Sequence, residues 1–196
     1  MCMHPLVGEE EVMRMNEEAA RERTYTAADA AHMPEDVRAE VIDGQLFYFA
    51  APTIRHQELL GELYLQIRLH IREKGGSCKV LPAPTALRFI NDDKTYLEPD
   101  LIVVCDKEKL REDACYGAPD LVVEIASPST RKRDYGLKLR KYRETGVREY
   151  WILDPQKGTV IVYWFEDETE NCLYSLQEPV SSHALPGLVV QLEGQA

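Results

Sequence analysis

The chain has 196 residues, of which 44% are hydrophobic and 29% charged, and its formal net charge is −11. That balance suits one globular domain with a real core, and it excludes a protein that coats nucleic acid nonspecifically, because phosphate contacts need Lys and Arg. No run approaches the roughly 18 apolar residues of a membrane span. The start of the chain, with Glu9, Glu10 and Glu11 close behind it, lacks the basic and apolar segments of a secretory signal, so the cytoplasm is the expected compartment.

Residues 1–23 are acidic and Met-rich without turn signals, and they read as a flexible leader. A short helix is predicted from Thr26 to about His32, capped by Thr24 or Thr26 and broken by Pro34. Glu40 to Phe49 reads as a hairpin, because Asp43-Gly44 separates two β-rich runs. Leu59, Leu60, Leu63, Ile67 and Ile71 recur at helical spacing and predict a helix from Ile54 to Glu73, ended by Gly75-Gly76. Strands are predicted next, over about 78–81, 85–90, 100–105 and 121–126. A basic helix follows over 131–145, stopped at Gly146, with further strands over 150–153, 160–165, 173–176 and near 188–192. The pattern predicts an α+β protein: a mixed sheet flanked by helices, with an N-terminal helix and hairpin.

Five cysteines (Cys2, Cys78, Cys105, Cys115, Cys172) stand at scattered spacings with no C-x-x-C pair and no zinc-type Cys/His cluster. They are predicted to be reduced, with Cys105 as a small core residue. Charge is unevenly spread. Between Ser127 and Tyr150 eight Lys or Arg stand against three acids, a local balance of +5 on an acidic body. Such a segment fits either a solvated helix face or a local polyanion site.

Two segments begin alike, Pro99-Asp100 and Pro119-Asp120, each opening an apolar run. Glu124 interrupts the second run, and a carboxylate inside a core strand is costly unless paired or metal-bound. Asp120 and Glu124 share a strand face but lie about 13 Å apart at the usual rise. That is too far for joint ligation of Mg²⁺ at about 2 Å. Asp100, on another strand, is the better partner if the two strands pair. In the basic helix, Tyr135, Lys138 and Tyr142 fall on one stripe, with Asp134 one turn behind Lys138, so this lysine is expected to face the protein body. A snorkelling lysine with a wet head is the alternative.

An ordered series of segments carries a resemblance. It runs from Glu40-Val-Ile-Asp-Gly and Ala51-Pro52-Thr-Ile-Arg-His56 to Glu98-Pro99-Asp100. It continues through Pro119-Asp-Leu-Val-Val-Glu124-Ile-Ala-Ser127-Pro-Ser129-Thr130 and Asp134-Tyr-Gly-Leu-Lys138 with Tyr142, and ends at Gly146-Val-Arg-Glu-Tyr-Trp-Ile-Leu-Asp154-Pro155. Together these residues resemble the Uma-type "putative restriction endonuclease" family of the PD-(D/E)XK nuclease superfamily, over about Thr26 to Pro186. The resemblance implies a restriction-endonuclease-like core, with residues 24–196 as one domain, and hydrolysis of nucleic acid, DNA first, with Mg²⁺ or Mn²⁺. It implies Asp100 and Glu124 as metal ligands and catalytic groups, with Glu40 adding a ligand or orienting one. The superfamily pattern would put a lysine at position 126, where this chain has Ala126. Lys138 is the implied replacement, and Lys132 a weaker one. His56, on the apolar side of its helix, suits a structural role, with an accessory role beside Asp134 and Tyr142 as the alternative. Arg131, Lys132 and Arg133 are expected to contact phosphates.

Two other readings compete. In one, the same fold binds nucleic acid or a protein without turnover. In the other, the chain is a structural homo-oligomer whose carboxylates are met by arginines and whose Lys138 is buried in a salt bridge. A two-fold dimer is the ordinary expectation in each case.

Overall fold

The computed structural model describes residues 24–34 and 37–192, so the predicted leader over 1–23 lies outside the described residues. Helix α1 (Ala27–Ala31) starts at Thr26, whose hydroxyl accepts from Asp29 N while Asp29 reaches back to the Thr26 amide. This reciprocal cap satisfies two otherwise orphaned donors. Strands β1 (Ala39–Ile42) and β2 (Gln45–Tyr48) form the predicted hairpin. Asp43 and Gly44 both adopt positive φ, 50° and 81°, the left-handed pair that matches strand twist in a tight hairpin.

The long helix α2 (Ile54–Glu73) has the predicted bounds and buries the five predicted residues. Strands β3 (Lys79–Pro82), β4 (Leu87–Phe89), β5 (Asp92–Leu97), β6 (Leu101–Val104), β7 (Cys115–Tyr116) and β8 (Leu121–Ile125) follow. Then comes a composite helical segment over 131–144, whose middle turn, Asp134–Lys138, is π-helical. Strands β9 (Glu149–Asp154), β10 (Thr159–Trp164) and β11 (Cys172–Ser175) complete the main sheet, and β12 (Val180–Ser181) pairs with β13 (Val189–Val190).

The six-stranded sheet runs β11-β10-β9-β8-β6-β3, and a five-stranded sheet runs β2-β1-β5-β4-β7. Every residue of β6, β8 and β9 is buried, as expected for central strands covered on both faces. One face packs Leu101, Val103, Val123 and Trp151 against Leu59, Leu63 and Ile67 of α2. The other packs Ile102, Val122 and Ile152 with Ile42, Leu87 and Leu97 of the smaller sheet and with Tyr142. β8 and β9 are parallel, and the 131–144 segment is the crossover that parallel neighbours require.

Two expectations are corrected. Cys78 and Cys105, predicted to be reduced, form a disulfide. They flank the antiparallel pair β3 and β6, in which Lys79 faces Val104, so pairing one step further brings them together. β5 was not predicted, because its opening Asp92-Asp93-Lys94 reads as a loop. Its buried positions are Thr95 and Leu97.

Candidate active site

Strand register makes the first contact. In the antiparallel pair β6 and β8, Leu101 faces Val123, so one step further along the ladder Asp100 faces Glu124. Directly opposed residues project to the same face, here the face shared with the smaller sheet. Asp100 Oδ2 accepts from Ile125 N at 2.7 Å, which fixes the carboxylate against β8. Its Oδ1 lies 3.2 Å from His56 Nε2. His56 sits in the first turn of α2, where Thr53 Oγ1 accepts from its amide. The helix thus starts over Asp100, and His56 looks onto the carboxylate rather than into the apolar core.

Glu124 Oε1 accepts from Lys138 Nζ at 2.9 Å and from Tyr142 OH at 2.7 Å. Its Oε2 has no protein partner among the described residues, and the residue lines a cleft. Lys138 is 1% exposed. Its ammonium also lies 2.7 Å from Glu40 Oε1 and 3.9 Å from Asp134 Oδ1. Glu40 Oε1 accepts in addition from Glu98 N, while Glu40 Oε2 and both oxygens of Asp134 are buried without hydrogen-bond partners. Lys138 closes the π turn, and Tyr142, four residues further along the α-helical stretch, shares its face, so both reach Glu124. Such turns recur at functional sites. Tyr135, expected on the same stripe, instead donates to Asp154.

One ammonium therefore stands among three carboxyl groups in a buried space. Burial raises the pKa of Glu124 well above its usual value, with Lys138 opposing and the neighbouring acids adding to the rise. Burial likewise raises Glu40 and Asp134. For Lys138, burial favours the neutral amine, but the charges of Glu124, Glu40 and Asp134 outweigh it and hold the ammonium form. His56 follows the same logic: burial lowers its pKa, and Asp100 more than reverses that.

These groups border a cleft of about 640 Å³, lined by His56, Asp100, Glu124 and Lys138. Arg38 and Arg55, which the sequence reasoning did not single out, line it too. Arg38 binds Glu98 at 2.6 Å and lies over the Phe49 ring. Arg55 was within reach of the sequence, since it stands in the quoted segment beside His56. Arg38 carried no such signal. Glu40 is not among the lining residues and stands behind Lys138.

The residues expected at phosphates stand apart from the cleft. Arg131 makes two 2.8 Å bonds to Asp154, and Arg133 stacks on Phe47 at 4.8 Å. Lys132 is exposed, and none of the three lines the cleft. Much of the basic segment is spent in this way. Lys141 pairs with Asp43 and Asp92, Arg143 with Glu168, and Arg148 with Glu166 and Asp120. Burial of Lys138 in a salt bridge meets one requirement of the structural reading, but among the described residues no arginine pairs with Asp100 or Glu124. Among the described residues, no group of three or more His, Cys, Asp or Glu is arranged to hold a metal ion. No described helix is long and apolar enough to cross a membrane.

The paired sheets and the β8–helix–β9 crossover define a restriction-endonuclease-like fold. The chain belongs to the Uma2 family, described as "Putative restriction endonuclease", which matches residues 24–193. A crystal structure of a putative nuclease belonging to DUF820, from Anabaena variabilis, superposes with a TM-score of 0.70, covering 86% of this chain and 95% of that one at 20% identity. That similarity speaks for the fold. The uncharacterized protein slr1290 of Synechocystis is 28% identical over 139 residues, or 70% of this chain and 72% of that protein.

Proposed function

We propose that this chain is a nuclease that hydrolyses phosphodiester bonds of nucleic acid, DNA in the first instance, with Mg²⁺ or Mn²⁺ bound at Asp100 and Glu124. The observation that carries the reading is that Asp100 and Glu124 face each other on adjacent strands at the wall of a single cleft, with the buried ammonium of Lys138 bonded to Glu124. The donor set suits a hard divalent cation: the ligands are carboxylate oxygens, and Glu124 Oε2 has no protein partner among the described residues. When bound, such an ion supplies positive charge to the phosphate and a more acidic water.

The chain's own residues do the rest. Lys138, held as an ammonium, would stabilise charge gathering on the phosphoryl oxygens or hold the attacking water. Glu40 holds the Lys138 head in place from behind, and Tyr142 fixes the rotamer of Glu124. His56 orients Asp100 from the opposite side. Arg38 and Arg55, at the cleft, replace Arg131, Lys132 and Arg133 as the candidates for flanking phosphates.

The test is cleavage of single- and double-stranded DNA and RNA in Mg²⁺ and in Mn²⁺ by the wild type, Asp100→Asn and Glu124→Gln. Each substitution is expected to reduce cleavage on the order of 10²-fold or more. Undiminished cleavage by both variants would remove the assignment. A second reading, a binding module without turnover, draws on the double engagement of Lys138 by Glu40 and Glu124. It requires salt-sensitive binding of the same substrates with no product under either metal.

A further inference from the structure

Helix α2 buries one face against the main sheet and leaves the opposite one bare. The buried residues are Leu59, Leu60, Leu63, Ile67 and Ile71. On the outer face Leu65 is 50% exposed and Leu69 41% exposed. Beside them is Gly61, where an added Cβ would meet nothing within 4 Å. At about 100° per residue, Glu58, Gly61, Glu62, Arg68, Leu69 and Arg72 all fall within about 60° of the direction of Leu65.

The order of charges along this face is the informative part. The acids, Glu58 and Glu62, lie toward the N-terminal end from Leu65, and the bases, Arg68 and Arg72, toward the C-terminal end. A face of this kind complements its own reverse. Glu58 and Arg72 stand equally far from Leu65, two turns to either side, almost on its line. Arg68 and Arg72 have no ion-pair partner among the described residues, and Glu58 makes a 3.7 Å contact to Arg55. A surface of mixed sign does not suit a polyanion, whereas an isologous contact requires each patch to carry both halves of the match.

We propose that this face of α2 packs against the same face of a second copy, antiparallel, about a two-fold axis through Leu65. Leu65 then meets Leu65 of the second copy, and Gly61 leaves a notch beside them for the incoming side chains. Glu58 meets Arg72 of the second copy, and the symmetry makes that pair twice. The contact leaves the cleft open, because His56 turns toward Asp100 in the protein body. The proposal is independent of the nuclease reading and gives the expected dimer a surface.

The experiment is sedimentation velocity of the full chain over a concentration series, with circular dichroism to confirm that each variant is folded. The wild type is expected to sediment as a dimer. Leu65→Glu sets like charges on the axis and should raise the dimer Kd by roughly 100-fold, while Glu58→Arg and Arg72→Glu each raise it by about 10-fold. The double variant Glu58→Arg with Arg72→Glu restores opposite charges across the axis and should recover most of the wild-type affinity. A monomeric wild type would overturn the proposal. So would a Leu65→Glu variant that dimerises like the wild type, or a double variant no tighter than its parents. Since the charge swap changes only exposed side chains, its recovery separates a specific pairing from general damage to the helix.

Discussion

Glu124 and Glu149 lie on neighbouring parallel strands, both almost fully buried, and their surroundings differ in kind. Glu149 accepts four bonds from Trp151 Nε1, Ser182 Oγ, His183 N and Ala184 N, so both its oxygens are filled by neutral donors. Its work is to tie the segment over 182–184 to the start of β9. Glu124 has one oxygen shared by a lysine and a tyrosine, the other without a partner among the described residues, and a cleft beside it. A buried acid with every valence filled is part of the frame, while one left open at a cleft has capacity for a ligand.

The sharpest way to break that contrast is to neutralise each acid in turn. Glu124→Gln is expected to lower cleavage on the order of 10²-fold with the melting temperature unchanged or raised, because burial already favours the uncharged form of this side chain. Glu149→Ala strands several donors and should cost about 3 kcal/mol or more, roughly 6–12 °C in melting temperature for a domain of this size. Its cleavage per folded molecule should match the wild type. Activity assays beside thermal melts read both outcomes, and a swapped pattern would reverse the division of labour.

The next effect concerns the ammonium itself. Lys138→Met leaves Glu40 and Glu124 buried without their cation, a loss of about 3 kcal/mol when both must ionise. The sign follows from the raised pKa values of these acids. A carboxyl with a folded pKa above its usual 4.5 contributes stability that is fully present below that value and lost as pH rises through the folded pKa. Without Lys138 both folded values climb further, so the loss extends over a wider range toward neutral pH. The gap in melting temperature between wild type and variant should therefore be small near about pH 5 and largest near about pH 8. A gap independent of pH would mean that the acids do not titrate in this window.

What could be read from the chain beforehand was local or periodic. The α2 stripe, the Asp-Gly turn and the proximity of Asp100 to Glu124 follow from spacing, the last because Asp120 is too distant along one strand to share a site. Asp120 instead accepts from Cys105 N. What escaped depends on partners far away in sequence. Cys78 and Cys105 are 27 residues apart and meet only through strand register. The placing of His56 depends on where α2 begins over the sheet, which helical periodicity does not report. The π turn has no pattern of its own, so a regular stripe through Tyr135, Lys138 and Tyr142 was the natural reading, and only the last two converge on Glu124.

The smallest effect tests the basic segment, where local charge pointed to phosphates and the fold found acids. Arg131 is the clearest instance, since its fork is matched by the two oxygens of Asp154, and Gln156 takes a further bond. A guanidinium held in this way can meet a phosphate only by giving up Asp154, which is fully buried and would lose its nearer countercharge, keeping Lys157 at 4.0 Å. Arg131→Ala should therefore lower the melting temperature modestly and leave the salt dependence of nucleic-acid binding as it is. Arg38→Ala, at the cleft, should instead flatten the plot of log affinity against log salt by about 0.9 on duplex DNA or about 0.7 on a single strand, the signature of one lost phosphate contact. If the two variants exchange these behaviours, the polyanion surface lies along the 131–144 segment, and Arg131 leaves Asp154 when nucleic acid binds.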